Sequence, residues 1–136
     1  MKVLFTGSRE LGDGRCLRLA GKAAAAEISE LHADEDVIIH GGAHGFDSLV
    51  DFIGRNRGFK PRVVTPNYRI WPGNIAPIKR DEEMVNMCDR VVAFWNGISH
   101  GTKATINFAI AGQKPVRLYT IQGDHLRLKT PHVRIP

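Results

Sequence analysis

The fold of this chain is decided by residues 37–49, which read VIIHGGAHGFDSL. The first three residues are apolar and β-branched, which is typical of a parallel strand that is covered on both faces. Three glycines follow, Gly41, Gly42 and Gly45, and they let the backbone turn sharply and approach another group closely. Helix-like sequence begins directly afterwards, and the N-terminus of a helix favours an anion. Taken alone, the stretch fits a purely structural turn as well as it fits an anion site.

On both sides of this stretch, short apolar runs alternate with segments of helical periodicity. The runs predict five strands, over residues 3–6, 37–40, 62–65, 90–95 and 115–120. The periodic segments predict helices over residues 15–32, 47–57, 78–88 and 102–111. This alternation implies right-handed crossovers and a parallel sheet. We therefore predict an α/β fold with a Rossmann-like, doubly wound, mostly parallel five-stranded sheet in the order 3-2-1-4-5, helices on both faces and a short C-terminal tail.

Length and composition indicate a single ordinary globular domain. The 136 residues suffice for one core, so we assign residues 1–120 to the domain and residues 121–136 to a tail or hairpin. No apolar run approaches the ~20 residues of a membrane span, and no secretory leader is recognisable. We therefore expect a cytoplasmic protein without a membrane partner. The net charge of +5 fits an anionic small molecule or a nucleic acid and does not choose between them. Cys16 and Cys88 are isolated, which favours buried free thiols.

Three glycine-bearing turns follow the first, second and fourth predicted strands, over residues 7–9, 40–45 and 96–102. In a doubly wound sheet these turns meet at the carboxyl edge, where such folds bind their ligands. Their combination predicts a phosphate or nucleotide site. The candidate ligand-binding residues are Gly7, Ser8, Arg9, Gly41, Gly42, Ala43, Gly45, Asp47, Arg80, Ser99, Gly101 and Thr102.

Several of these side chains suit the parts of a nucleotide. Arg9 offers a planar fork for phosphate. Asp47 could accept a ribose hydroxyl or, equally, cap the second helix. Ser99 and Thr102 offer hydroxyls beside a helix N-terminus, although Thr102 could also be a simple N-cap. Arg80 is predicted in the first turn of the third helix, where a cation opposes the helix dipole, and this favours a functional role.

His40, His44 and His100 are predicted at the same edge, near Asp47. Each could act as an acid or a base, because histidine titrates near neutral pH. Their spacing contains neither HxH nor HExxH, which argues against a metal centre. We therefore expect neither a metal nor a cofactor.

Four motifs carry a family resemblance: GSR at residues 7–9, HGGAHGFDSL at 40–49, RDEEM at 80–84 and FWNGISHGT at 94–102. In this order and spacing they resemble the SLOG superfamily, a Rossmann-like group that includes the LOG and DprA/Smf proteins. The YspA-type (cpYpsA-related) single-domain branch is the most similar, over about residues 1–120. The resemblance implies binding of nucleotides or nucleotide-derived ligands, with phosphate or ribose held by the glycine turns.

Two departures from the family pattern matter. The branch usually has Arg-Asn where this chain has Arg80-Asp81, and a carboxylate repels phosphate, so we predict that Asp81 faces a hydroxyl or pairs with Arg80. LOG enzymes carry GGxGTxxE, and Thr105 stands in place of that glutamate. A threonine cannot act as the carboxylate that glycosidic cleavage requires. We expect a protein without catalytic activity; if it is an enzyme, Arg80 matches the catalytic arginine.

The leading hypothesis is therefore binding or sensing of a nucleotide-like small molecule. The first alternative is an N-glycosidase that resembles the nucleoside-monophosphate phosphoribohydrolases. The second is single-stranded DNA binding, which rests on analogy with DprA and on the basic C-terminal segment, and nucleic acid is the less favoured partner. That segment fits a basic hairpin, an arm on a second subunit or, preferably, a charged edge strand. A homo-oligomer is compatible with the superfamily.

Overall fold

The protein is described here by a computed structural model that covers residues 1–11, 14–122 and 125–129. Within these residues the strands are β1 (Lys2–Gly7), β2 (Val37–His40), β3 (Arg62–Val63), β4 (Arg90–Trp95), β5 (Val116–Gln122) and β6 (His125–Leu128). The helices are α1 (Gly14–Ser29), α2 (Phe46–Asn56), α3 (Ile75–Met87) and α4 (His100–Ala111). None of the helices in the described ranges is long and apolar enough to pass through a bilayer.

The strands form one sheet in the order β3-β2-β1-β4-β5-β6. Strands β1 to β5 run parallel, and in the centre Leu4 of β1 is level with Ile39 of β2 and Val91 of β4. The predicted doubly wound α/β fold and the order of its first five strands are therefore confirmed. The sheet reverses its winding between β1 and β4, which places a crevice at their carboxyl ends.

The predicted number of strands was too small by one. β6 returns antiparallel to β5, with Ile121 opposite Leu126, so the segment after residue 120 adds an edge strand. Its side chains are mostly exposed, and Leu126 alone packs against the main core. One partly buried apolar residue in a short basic run is a weak pattern, which explains why the sequence favoured an edge strand there but left a hairpin and an arm open. Residues 130–136, part of the predicted tail, lie outside the described residues.

The sheet separates two apolar cores. Alternate residues of β1 face opposite sides, so Val3 and Phe5 pack with α1 and α2 while Leu4 packs with α3 and α4. All three side chains are fully buried. Cys16 belongs to the first core and Cys88 to the second, and both are free thiols. Because β1 is covered on both faces, the turn that follows it is held firmly at the crevice.

The start of α3 corrects one prediction that bears on the site. The helix begins at Ile75 and not at residue 78, so Pro77 lies inside its first turn, where a missing N–H group costs no hydrogen bond. Arg80 consequently lies in the second turn, and the argument from the helix dipole does not apply to it. Smaller shifts affect other ends: α1 ends at Ser29, α4 begins at His100, and β3 spans only Arg62–Val63.

Candidate functional site

The turns after β1, β2 and β4 border a cleft of about 450 Å³ at the crevice, and α3 closes one side. Most of the predicted ligand-binding residues line it: Gly7, Arg9, Gly41, Ala43, Asp47, Arg80, Ser99, Gly101 and Thr102. Three predicted residues do not line it: Ser8, Gly42 and Gly45. The lining also includes residues that were not predicted as ligand-binding: Thr6, Glu10, Pro77, Asp81, Met84, Asn96, Ile98 and Thr105.

Ser8 lies behind the wall of the cleft, where it joins the first turn to the last. The side chain is buried, its hydroxyl donates to Thr102 Oγ1 at 3.3 Å, and its oxygen accepts the N–H group of Asn96 at 3.1 Å. Asn96 in turn accepts N–H groups of its own turn at Oδ1 and donates from Nδ2 to the Glu10 carbonyl at 2.7 Å. Ser8 therefore positions the two turns and lies too deep to reach a ligand.

The glycine turn after β2 is shaped by its backbone and held by His40. Gly42 and Gly45 have φ angles of 73° and 88°, which side chains rarely tolerate. His40 is buried; its Nδ1 accepts the Gly42 N–H group at 3.0 Å, and its Nε2 lies 2.7 Å from Asp51 Oδ2. Nδ1 is thus unprotonated, and Nε2 donates to Asp51. His40, the last residue of β2, therefore links the glycine turn to Asp51 of α2 and does not line the cleft.

The other two histidines do not join it in a cluster. His44 is exposed on the turn after β2, and His100 is exposed at the start of α4. Across the described part of the chain, no group of three or more histidine, cysteine or acidic side chains could hold a metal ion.

The N-terminus of α4 is open to the cleft at Gly101. Ser99, and not Thr102, is the N-cap, and its Oγ accepts the Thr102 N–H group at 3.4 Å. Gly101 has no positive φ angle, and a Cβ atom placed on it would meet nothing within 4 Å. Neither the backbone nor packing therefore requires glycine there. Its effect is to leave the cleft side of the helix N-terminus uncovered.

Arg80 is largely occupied by the protein itself. Its Nε donates to Asp81 Oδ1 at 2.8 Å, and its Nη1 donates to the carbonyl groups of Gly41 and Val64 at 2.7 and 3.3 Å. A Cβ atom on Gly41 would lie 2.7 Å from Nη1, so glycine is needed for this approach. The predicted pairing with Asp81 is therefore present. Arg80 holds α3 against the strand ends, and three of its five N–H groups are engaged in doing so.

Two nearly buried carboxyl groups, Asp47 and Asp81, complete the lining. Asp47 Oδ2 accepts the Ala43 N–H group at 3.1 Å, while Oδ1 is buried and has no hydrogen-bond partner among the described residues. Gly45 is the N-cap of α2, and no side chain caps it, so the alternative that Asp47 caps this helix is wrong. Burial raises the pKa of Asp47, and the Ala43 N–H group, His40, Arg80 and, most weakly, the Gly41 N–H group only partly oppose this. The Gly41 N–H group does not reach hydrogen-bonding geometry with Oδ1.

Asp81 responds to the same surroundings. Burial raises its pKa, Arg80 and the nearby Thr105 hydroxyl oppose the rise, and the charge of Asp47 adds to it. The two carboxyl groups therefore influence each other electrostatically. In the sequence, Asp81 is notable because it departs from the family motif. Only the fold shows that it lies near Thr105 and that the charge of Asp47 affects it.

A second depression, of about 620 Å³, lies beside β3 and is lined mainly by residues 62–69. Its described lining contains no glycine turn and no buried polar side chain. The first cleft is smaller, yet it alone of the two combines a helix N-terminus with buried polar groups, and it is the better candidate site.

The comparisons with known proteins extend only to the fold. No family model matches the chain, and no curated protein matches it. The X-ray structure of TM1055, a target of the Northeast Structural Genomics Consortium, is similar with a TM-score of 0.63. It is 23% identical, and the match covers 85% of this chain and 71% of that chain. At this identity the likeness shows a shared Rossmann-like α/β fold.

Proposed function

We propose that the cleft at the β1/β4 crevice binds a nucleotide or a nucleotide-derived ligand. The observation that carries this proposal is the meeting of three glycine-bearing turns around a cleft into which the N-terminus of α4 opens at Gly101. A helix N-terminus supplies free N–H groups and a favourable dipole for phosphate. A volume of about 450 Å³ is in the range of small-molecule sites.

The charges of the cleft favour one position for the phosphate. Arg9 lines the cleft from an exposed position, so its guanidinium can approach an anion near Gly101. Arg80 is engaged with Asp81 and two carbonyl groups, and Asp47 and Asp81 add negative charge beside it. Phosphate is therefore best placed at the α4 end of the cleft, between Gly101 and Arg9, away from the two carboxyl groups.

We also propose that the chain is a member of the SLOG superfamily, of the YspA-type branch, and acts in the cytoplasm, where free nucleotides are abundant. Support comes from the four sequence motifs and from their placement, since residues of all four line the same cleft. Binding or sensing is the leading activity. A homo-oligomer and DNA binding stay predictions on which the described contacts do not bear.

An N-glycosidase is the second candidate, because of one specific contact. Thr105 replaces the glutamate of the LOG enzymes, but Asp81 lines the cleft close to the Thr105 hydroxyl and so brings a carboxyl group from α3 to that place. Its raised pKa suits an acid–base group. Release of free base from nucleoside monophosphates, lost in Asp81→Asn, would support this activity. Absence of release from every monophosphate that binds would exclude it for those substrates.

Thermal-shift measurements with nucleotides, cyclic dinucleotides and ADP-ribose test the binding proposal. We expect at least one of them to raise the melting temperature of the wild-type protein. Gly101→Leu should abolish the shift while leaving the fold intact, because its side chain would enter open space at the helix N-terminus. Gly14→Leu is a matched control, since Gly14 also opens a helix and also has nothing within 4 Å of a Cβ position, yet does not line the cleft. No shift with any compound at millimolar concentration would overturn the proposal.

A further inference from the structure

Asp47 contributes the unsatisfied polar atom of the cleft. The residue is only 8% exposed, one carboxyl oxygen accepts from Ala43, and Oδ1 lacks a partner within the described ranges. A buried acceptor without a donor is unfavourable, and such groups are nearly always paired in native proteins. Because an ionised carboxylate only accepts hydrogen bonds, its missing partner must bring an O–H or N–H group. A phosphate dianion brings neither.

Asp81 places a second carboxyl group in the same cleft. It is 7% exposed and lines the same cleft as Asp47, whose negative charge adds to the rise in the pKa of Asp81. Arg80 neutralises one carboxylate through its pair with Asp81, but a second negative charge remains. An anionic part of a ligand is therefore disfavoured here, whereas an uncharged hydrogen-bond donor is favoured.

Asp81 of α3 lies beside α4, and its level along that helix indicates which part of a nucleotide would contact the carboxyl groups. Asp81 and Thr105 both line the cleft, with Thr105 close enough to affect the pKa of Asp81, and Thr105 Oγ1 donates to the carbonyl of Gly101 at 3.1 Å, one turn earlier in the helix. Four residues of helix span about 6 Å. The Asp81 side of the cleft thus lies about one helical turn from the phosphate position at Gly101, and Asp47 lines the same cleft. In a nucleoside 5′-phosphate the ribose hydroxyls lie at this range, and the base lies beyond the sugar.

We propose that Asp47 and Asp81 bind the ribose hydroxyl groups of the nucleotide, so that the cleft selects ribonucleotides over deoxyribonucleotides. This inference rests on the proposed function of the cleft. A vicinal diol offers two adjacent O–H donors, one toward each carboxyl group, and one of them satisfies Asp47 Oδ1. The diol carries no charge and is not repelled by the pair.

Calorimetric titration with matched probes tests the selection. The probes are the four common ribonucleoside 5′-monophosphates, their 2′-deoxy and 2′,3′-dideoxy counterparts, ribose 5-phosphate and inorganic phosphate. We expect each deoxy compound to bind about tenfold or more weakly than its ribonucleotide, since a hydrogen bond to a buried charged group is lost. Ribose 5-phosphate should compete with the ribonucleotides. Equal affinity of ribo and deoxy forms would overturn this inference and leave the proposed function standing, whereas no binding of any probe would count against both.

Two variants assign the selection to the carboxyl group. Asp47→Ala should bring the ratio of ribo to deoxy affinity close to one, mainly by weakening the ribonucleotides. Asp47→Asn keeps an acceptor for the Ala43 N–H group, so the fold is retained, and should reduce the ratio. Because it removes a negative charge from the cleft, it should not weaken the binding of inorganic phosphate. Asp34→Ala, on the exposed segment between α1 and β2, is the control and should change neither. The assignment would be contradicted if the ratio of ribo to deoxy affinity were unchanged in both Asp47 variants. It would also be contradicted if Asp47→Ala abolished a preference for particular bases and not the preference for ribose.

Discussion

Arg80 and Asp81, neighbours on α3, form an ion pair in which Nε donates to Oδ1 at 2.8 Å and both side chains are largely buried, at 14% and 10% exposure. The same guanidinium donates to the Gly41 carbonyl, so the pair connects α3 to the end of β2. Gly41 itself lines the cleft. The shape of the candidate site therefore depends on a structural ion pair.

Breaking this pair on one side should be costly. We expect Arg80→Ala to lower the free energy of unfolding by about 3–5 kcal/mol, because Asp81 is left as an uncompensated buried charge. Combining Arg80→Ala with Asp81→Asn should restore part of the loss, since no charge then remains unpaired. Urea unfolding of the four proteins measures the coupling. Strictly additive effects of the two substitutions on the free energy of unfolding would contradict an ion pair that stabilises the fold. Loss of binding in Arg80→Ala is informative only where this variant is folded.

The ionisation of Asp47 and that of Asp51 should change the stability of the fold in opposite directions. The pKa of Asp47 is raised above 3.8 by burial, so the folded protein holds this proton more tightly than the unfolded chain, and ionisation of Asp47 destabilises the fold as pH rises. Burial would also raise the pKa of Asp51, but the hydrogen bonds from Arg55 and His40 lower it below 3.8. Ionised Asp51 therefore contributes stability that is lost as pH falls through its folded pKa.

Asparagine substitutions separate these two contributions. Asp47→Asn should stabilise the unliganded protein near pH 7 relative to wild type, with a gain that disappears on acidification. Asp51→Asn should destabilise it near pH 7, with a loss that also fades at low pH. Urea unfolding between about pH 3 and about pH 7 gives the differences directly. Variant and wild-type curves that stay parallel across this range would contradict the assigned directions.

Glu27 offers a test that is remote from the cleft. Its carboxylate is 3% exposed and accepts from Arg117 Nε at 2.6 Å and from the Tyr119 hydroxyl at 2.8 Å, and Arg90 Nη1 lies 3.7 Å away. We expect Glu27→Ala to lower the free energy of unfolding by up to about 3–5 kcal/mol, since the partly buried Arg90 and Arg117 lose their carboxylate partner. Nucleotide affinity of the folded variant should be unchanged, because Glu27 does not line the cleft. A parallel fall in affinity, measured by calorimetry, would show that the site is not independent of this network.

The sequence predicted the fold well where its patterns were long and regular. The apolar runs at residues 37–40 and 90–95 coincide with β2 and β4, because strands buried on both faces leave an uninterrupted signal. The start of α3 was missed because Pro77 looks like a helix breaker, although proline is tolerated in a first turn. The preferred interpretation of the segment after residue 120, a charged edge strand, is confirmed by β6, but its bounds were not predicted because an exposed edge strand has almost no apolar face.

The candidate site was predictable in outline but not in its balance of charges. Topology alone brings the three turns together, which is why Gly101 and Arg9 could be chosen from the sequence. The side-chain contacts could not be chosen in this way. These contacts depend on rotamers and on packing between distant segments. They include the inward-facing hydroxyl of Ser8, the hydrogen bonds from Arg80 to two carbonyl groups, and the unpaired oxygen of Asp47.

The position of a bound nucleotide tests the central claim most directly. Amide chemical shifts of the protein should be recorded by NMR during titration with the nucleotide that gives the largest thermal shift. The largest changes should fall on the turns at residues 7–9, 41–47 and 99–102, with Gly101 among them, and Gly101→Leu should suppress them. Changes confined to residues 62–69, around the second depression, or changes that persist in Gly101→Leu would contradict a nucleotide site at the β1/β4 crevice.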